Sequence, residues 1–253
     1  MMKTGFITAV VWCFVFASSV AGQENLSQQS RCSRTSDLPV WVAPLNAVHG
    51  IHEFGAGTRL TLPASVGSVV VELWGGGGGG GRGSLETQTH GGAGGGGGAS
   101  GSYVRANLNV VPGVTYAVVV GVGGLGGIGP AGTSAASGQN GGDSSFCAGD
   151  RLLVVALGGA GGAAAKSNTH PGEGGAGRSL KASDTSLELQ RVGAAGLPGA
   201  LPLYEDPGPG GPGGMPISGG VGSYGGDGGR GEYRPDPLEK GRNGGAGRII
   251  VSW

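Results

Sequence analysis

Seven consecutive glycines, Gly75 to Gly81, follow directly on the apolar run SVVVELW at 68–74. Glycine has no side chain to bury, and it loses more backbone entropy on folding than any other residue. The same junction recurs where VVV meets GVGG at 118–124 and where VAL meets GGAG at 155–161. Because unstructured low-complexity sequence has no reason to place glycine runs after well-formed strands, this order predicts glycine tracts built onto a β scaffold.

Composition alone, by contrast, suggests a disordered chain. The chain has 62 glycines in 253 residues, and all but six lie from Gly75 onward, whereas glycine usually makes up about 7% of a chain. Charged residues are only 13%, and the formal net charge is +0. A sequence so poor in large side chains suggests disorder. The absence of a Lys/Arg cluster argues against nucleic-acid binding, which depends on neutralising phosphates.

The first residues have the pattern of an export signal. Lys3 precedes an apolar run at 6–17, and small residues follow at 18–22. The run is shorter than the roughly 20 residues that span a bilayer, so it favours a signal peptide over 1–22, with a membrane anchor as the alternative. We therefore predict a secreted or extracellular protein, in the periplasm or on the cell surface if bacterial, that has no stable membrane insertion.

The mature chain divides into a polar tail or linker over 23–46 and a single domain over 47–253. Cys13 leaves with the signal, and Cys32 and Cys147 remain. In an oxidising compartment these two form a disulfide or, alternatively, stay unpaired or bond between molecules. Asn25 begins an N-x-S sequon, which is a glycosylation site only in a eukaryotic secretory pathway.

Short β-branched or alternating runs predict the strands. In Tyr103–Val111, Val104 and Leu108 alternate with polar residues, which is typical of a half-buried strand. Pro112-Gly113 then predicts a turn, and the pair of strands around it predicts a hairpin. The predicted strands are 51–54, 58–62, 68–74, 103–111, 115–120, 152–157 and 248–253. Residues 179–206 predict an inserted loop with a short helix possible.

The glycine tracts have a period of three. Val122, Leu125 and Ile128 recur in GVGGLGGIG at 121–129. Polyproline II has three residues per turn, so this period places the side chains on one edge and glycine on the other two. Neighbouring backbones can then approach closely and hydrogen-bond to one another. The pattern favours an ordered bundle, with mobile loops on a β scaffold as the alternative.

We find no catalytic, cofactor-binding or metal-binding constellation. His49 and His52 lie three residues apart without a partner cluster, which is a poor metal spacing. Matches to GxGxxG carry no weight in a chain so rich in glycine, and no helix follows Trp74 to complete a dinucleotide site. Asp143 in GGDSSF predicts a turn or cap. The sequence thus predicts a protein that is not an enzyme and has no cofactor.

Five segments in order resemble a recurrent glycine-rich domain. They are SVVVELWGGGGGGG at 68–81, GSYVRANLNVVPGVTYAVVVGVGGLGG at 101–127, GGDSSF at 141–146, LLVVALGGAGG at 152–162 and GGAGRIIVSW at 244–253. The resemblance, over about 49–253, is to glycine-rich regions of bacterial and phage surface proteins. More distantly, it is to the glycine-rich extracellular domain of anaplastic lymphoma kinase family receptors. It implies a mainly β protein, a jelly-roll-like β-sandwich carrying a bundle of glycine-rich polyproline II helices.

The expected function is that of a structural or adhesin-like binding module that recognises an extracellular protein or glycan. Loops on a rigid scaffold usually carry such recognition, and the non-glycine inserts supply candidates. These are residues 84–90, 166–171, 179–207 and 232–241. The alternatives are an ice-binding protein, since glycine-rich polyproline II bundles resemble certain arthropod antifreeze proteins, and an unrecognised secreted enzyme.

Overall fold

The protein is a mainly β sandwich, as predicted, and its described residues form two five-stranded sheets. The computed structural model describes residues 32, 37–44, 49–84, 91–129, 136–178, 187–203, 211–215, 224–228 and 240–253; the predicted signal peptide and Asn25 lie outside them. The strands are β1 (Val40–Val42), β2 (Ile51–Phe54), β3 (Thr58–Thr61), β4 (Ser68–Trp74), β5 (Tyr103–Asn109), β6 (Thr115–Val119), β7 (Ser144–Ala148), β8 (Arg151–Ala156), β9 (Leu187–Arg191) and β10 (Arg248–Ser252).

One sheet has the order β1-β3-β6-β7-β8, and the other has the order β2-β10-β4-β5-β9. The core lies between them, because the inward positions of the alternating strands are apolar. Leu60, Val118 and Phe146 come from the first sheet, and Val71 and Ile249 from the second; all are fully buried. Alternation in the sequence therefore identified the buried face.

The predicted hairpin at Pro112-Gly113 is wrong. The turn forms, and Gly113 has a φ of 77° that suits glycine. However, β5 pairs with β4 and β9, whereas β6 pairs with β3 and β7. The turn carries the chain from one sheet to the other, so the two strands that it joins lie in different sheets.

Three strands lie where none was predicted. β1 falls inside the predicted polar tail and pairs in parallel with β3, so residues 37–44 belong to the sandwich. β7 begins directly after Asp143 and pairs with β6, and β9 lies inside the predicted 179–206 loop and pairs with β5. β1 and β9 are short edge strands, whose order comes from their partners in the sheet rather than from a strong local pattern.

The glycine tracts run outward from the strands and back as polyproline II helices. Helix A continues β4 without a break, and helix B leads back into β5. Bonding partners recur every third residue: Gly76, Gly79 and Arg82 of helix A donate in turn to the Gly142, Gln139 and Ala136 carbonyls. This period identifies the helix type. The ten described helices are A (75–84), B (91–102), C (121–129), D (136–143), E (157–165), F (172–178), G (193–201), H (211–215), I (224–228) and J (240–247).

Helices A and B form the centre of a hexagonal array. Helix A hydrogen-bonds to six neighbours, namely B, C, D, E, I and J, and helix B also bonds to six, namely A, E, F, G, H and I. The eight outer helices bond to one another in the closed ring C-D-E-F-G-H-I-J-C. Every described residue of A and B is buried. The bundle is therefore ordered, because each central backbone exchanges hydrogen bonds on all sides.

Helix A requires glycine because the backbones of its neighbours leave no space for a side chain. A β-carbon added to any residue of Gly75–Gly81 would lie 1.8–2.2 Å from a carbonyl oxygen of helix C, E or I. The outer helix C, by contrast, points Val122, Leu125 and Ile128 outward, and these are 72%, 54% and 62% exposed. Glycine on all three rows thus distinguishes helix A, and an exposed side-chain row marks outer helix C. Helix B, which is also central, accommodates the small side chains of Ala93, Ala99, Ser100 and Ser102.

A disulfide joins Cys32 to Cys147 of β7, across 115 residues of sequence. Both cysteines are fully buried and pack with Ala117 and Leu152 on the first sheet. Cys32 and β1 are therefore both attached to the first sheet, Cys32 by this bond and β1 by its pairing with β3. Trp41 of β1 adds a third contact, because its ring stacks on His52 at 4.1 Å between centroids.

Candidate binding surface

The described ends of several helices lie together at the end of the bundle that is farthest from the sandwich, which we call the tip. Ser84 of helix A bonds to Ala93 of helix B, and Gly228 of helix I bonds to Gly211 of helix H. Further bonds place the ends of the other helices at the same level: Arg82 with Ala136 and Ala165, Gly94 with Ala200 and Gly172, and Gly127 with Gly241. The segments that these residues bracket therefore start and finish at one end of the molecule.

The turn over 166–171 is the tip segment that the structure describes in full. Lys166 donates its N–H to the His170 carbonyl at 3.0 Å. The Ser167 and Thr169 hydroxyls lie 3.0 and 2.9 Å from His170 Nδ1. Lys166, Thr169 and His170 are exposed. These bonds hold an imidazole and two hydroxyls in a fixed arrangement on the surface, which suits recognition of a polar partner.

Arg82 lies beneath this tip and is only 4% exposed. Its Nη1 donates to the Gly129 carbonyl at 2.7 Å, so its side chain ties the end of helix A to the end of helix C. A buried cation is stable only when its donors are used. Arg82 therefore fixes the base from which the adjoining tip segments project.

Where the bundle meets the sandwich, serine and aspartate side chains hydrogen-bond to backbone groups of the glycine helices. Ser144 donates to the Trp74 carbonyl and accepts from Gly121 N–H. Asp143 Oδ1 accepts from Gly158 N–H at 2.9 Å and so caps the start of helix E. The motif GGDSSF predicted Asp143 as a turn or cap but gave no role to Ser144. The available signal was a serine two residues after the glycine tract, at the start of a strand.

Of the predicted loops, three are placed wholly or partly at the tip. The turn 166–171 is there, and the described residues that bracket 85–90 and 229–239 are there too. The fourth, 179–207, is not a loop: its described part contains β9 and helix G. His49 and His52 lie at the sandwich, away from the tip, and His52 packs against Trp41 and Phe54.

Tyr103 lies at the junction of helix B and β5 and has a perturbed pKa. Burial, reinforced by a hydrogen bond from its hydroxyl to Glu72 and by the charge of that carboxylate, raises the pKa of Tyr103 to about 12. Glu72 in turn lies 4.0 Å from Arg105, which pairs with Glu188 at 2.9 Å. The phenol is thus held neutral as a donor that links β4 to β5.

This pKa predicts a loss of stability at alkaline pH. The folded pKa lies above the unfolded value of about 10, so the contribution of Tyr103 is present below pH 10 and disappears as pH rises towards 12. Urea midpoints measured from pH 8 to 12 should fall more steeply for the wild type than for Tyr103→Phe, which cannot ionise. Parallel curves for the two proteins would contradict the assignment.

The described residues hold no group of three or more His, Cys, Asp or Glu side chains able to bind a metal ion. Within the same residues, no helix is long and apolar enough to cross a membrane. The described residues therefore form a hydrogen-bonded scaffold with a polar tip.

A family model described as a glycine-rich domain matches residues 54–253. The chain belongs to this glycine-rich domain family. In this glycine-rich domain, the matched span begins at Phe54, the last residue of β2, and ends at Trp253, so it includes the bundle and most of the sandwich. No curated protein matches the chain.

Proposed function

We propose that this glycine-rich domain is a secreted, non-enzymatic binding module of adhesin-like character, which recognises an extracellular protein or glycan with its tip. The observation that carries the proposal is the exposed, hydrogen-bonded turn over 166–171, which lies at the same end of the bundle as the described ends of helices A and B. Bonded on all sides, the central helices make that end rigid, and a rigid base lowers the entropy lost when the tip binds. The disulfide and the signal-like N-terminus support export.

The resemblance to glycine-rich regions of bacterial and phage surface proteins supports the same proposal, since such proteins act at surfaces. The more distant resemblance to receptor ectodomains is compatible with it and adds no signalling role. We propose the tip, rather than the sheets, because polar side chains of the 166–171 turn are exposed there in a hydrogen-bonded arrangement.

The test compares two double variants of the secreted protein on a glycan array and in a pull-down of extracellular proteins. Thr169→Ala/His170→Ala alters the tip, and Asn107→Ala/Asn109→Ala alters exposed positions on β5. We expect the tip variant to weaken binding at least about 10-fold, because it removes two polar partners. The β5 variant should bind like the wild type. Equal binding by both variants would place recognition elsewhere.

Deleting 179–207 is unsuitable as a test. It would remove edge strand β9 and helix G, which donates and accepts hydrogen bonds with helices B, F and H. Loss of binding in that variant would report unfolding.

A further inference from the structure

Two adjacent outer helices present a continuous apolar surface, here called the G–H face, made of residues 193–203 and 211–215. The sequences GAAGLPGALPL at 193–203 and GPGGM at 211–215 contain no polar side chain. The Leu197 N–H donates to the Pro212 carbonyl at 2.9 Å, so the two helices lie side by side. Leu197, Leu201 and Met215 are 56%, 52% and 74% exposed.

The extent of this face exceeds that of an isolated exposed leucine. Val192 and Leu203 extend it at both ends of helix G, at 49% and 76% exposure. With on the order of 100 Å² from each large side chain and less from each alanine and proline, the face amounts to roughly 500–700 Å², at or above the largest patch of a typical monomer. A stable interface buries about 800 Å² on each partner, so the G–H face nearly suffices alone.

The Val122–Leu125–Ile128 ridge on helix C is smaller. Three side chains of similar exposure supply roughly 300 Å², well below what a stable dimer needs. Helices D and J beside it carry Gln139, Asn140, Arg242 and Asn243, so the ridge is isolated between polar rows.

We propose that the G–H face is a homodimer interface, covered by the same face of a second copy of this chain. A glycan needs polar hydrogen-bonding groups that this face lacks, and it has no Lys or Arg to attract an anionic membrane. A second copy offers an apolar face of equal extent, and a two-fold axis would place the same face of both copies in contact. Glu173 of helix F and Asp227 of helix I flank the face and provide the polar rim of an interface.

The dimer is tested by sedimentation velocity on the secreted protein between about 1 and about 100 µM, a range that brackets dissociation constants of ordinary assemblies. We expect a dimer. Leu197→Glu/Leu201→Glu should raise its dissociation constant at least about 30-fold, because burying four carboxylates without partners is unfavourable. The matched control, Val122→Glu/Leu125→Glu, places the same charges on the helix C ridge and should remain dimeric.

Each outcome decides the proposal. A wild type that is monomeric throughout, or a dimer that survives Leu197→Glu/Leu201→Glu, overturns it, and a dimer broken only by the control variant assigns the interface to helix C. The substituted leucines are half exposed, so the monomeric variant should still unfold in a cooperative thermal transition, which shows that the monomer is folded. The dimer proposal does not depend on recognition by the tip. The monomeric variant should still bind its partner through its own tip.

Discussion

Replacing Gly78 by Ala should abolish the folded protein or destabilise it by at least about 3 kcal/mol. The added β-carbon would lie 2.2 Å from the Ala160 carbonyl oxygen and 2.8 Å from Gly161 N. Both atoms belong to the backbone of helix E, which is itself bonded to helices A, B, D and F. No flexible side chain is present to move aside, so the strain passes to the whole array. Urea unfolding and secreted yield measure the effect.

Gly67→Ala is the matched control. A β-carbon there meets nothing within 4 Å, and the backbone of Gly67 is not in the left-handed region. Alanine restricts the unfolded chain more than glycine does, so this variant should be neutral or more stable by up to about 1 kcal/mol. If Gly78→Ala unfolds at the urea midpoint of the wild type, the close packing described for helix A is wrong.

Removing the disulfide should have an effect of similar size by a different mechanism. The bond closes a loop of 115 residues, and the chain-entropy relation assigns such a loop about 5 kcal/mol. The gain arises because the crosslink restricts the unfolded chain. Since small domains are stable by only about 5–15 kcal/mol, Cys32→Ser/Cys147→Ser should lose a large share of stability. Urea unfolding without reductant measures it.

Two comparisons separate the disulfide from the packing of its cysteines. The wild type unfolded in the presence of dithiothreitol keeps both sulfur atoms, and it should lose nearly as much stability as the double serine variant. Trp41→Ala leaves the bond intact and removes the ring that stacks on His52, so it reports the contribution of β1 alone. An unchanged midpoint in the double serine variant would show that the loop is already closed by other contacts.

The strands with strong patterns could be predicted from sequence. Ser68–Trp74 was predicted with its observed bounds, because three consecutive valines and flanking apolar residues favour extended backbone. The Pro112-Gly113 turn was also evident, but a turn specifies only a change of direction. Which sheet receives the next strand depends on core packing between distant segments, and so the hairpin was wrong.

The bundle was partly predictable for a geometric reason. Period three in 121–129 indicated that helix C has one side-chain row, and the seven glycines at 75–81 indicated only a glycine tract attached to a strand. The identity of the six neighbours of helix A could not be predicted, because glycine backbones are chemically alike. Their arrangement follows from the order of the strands to which the helices are attached.

At the tip, the sequence identified polar inserts but not their convergence. Residues 166–171 and 84–90 are separated by some 80 positions, and only the antiparallel course of the helices brings their ends together. β9 was missed because Leu187–Arg191 carries Glu, Gln and Arg on an exposed edge, a weak pattern that β5 organises.

Because the helices repeat every three residues, only insertions or deletions of three residues preserve the direction in which the following side chains point. Inserting one residue into helix C turns everything that follows by one third of a turn, which would direct Leu125 or Ile128 into helix A or J instead of outward. Inserting three residues restores the rotation and adds one turn. Lineages of this protein should therefore gain and lose glycine-tract residues in threes, while the segments between helices vary freely in length.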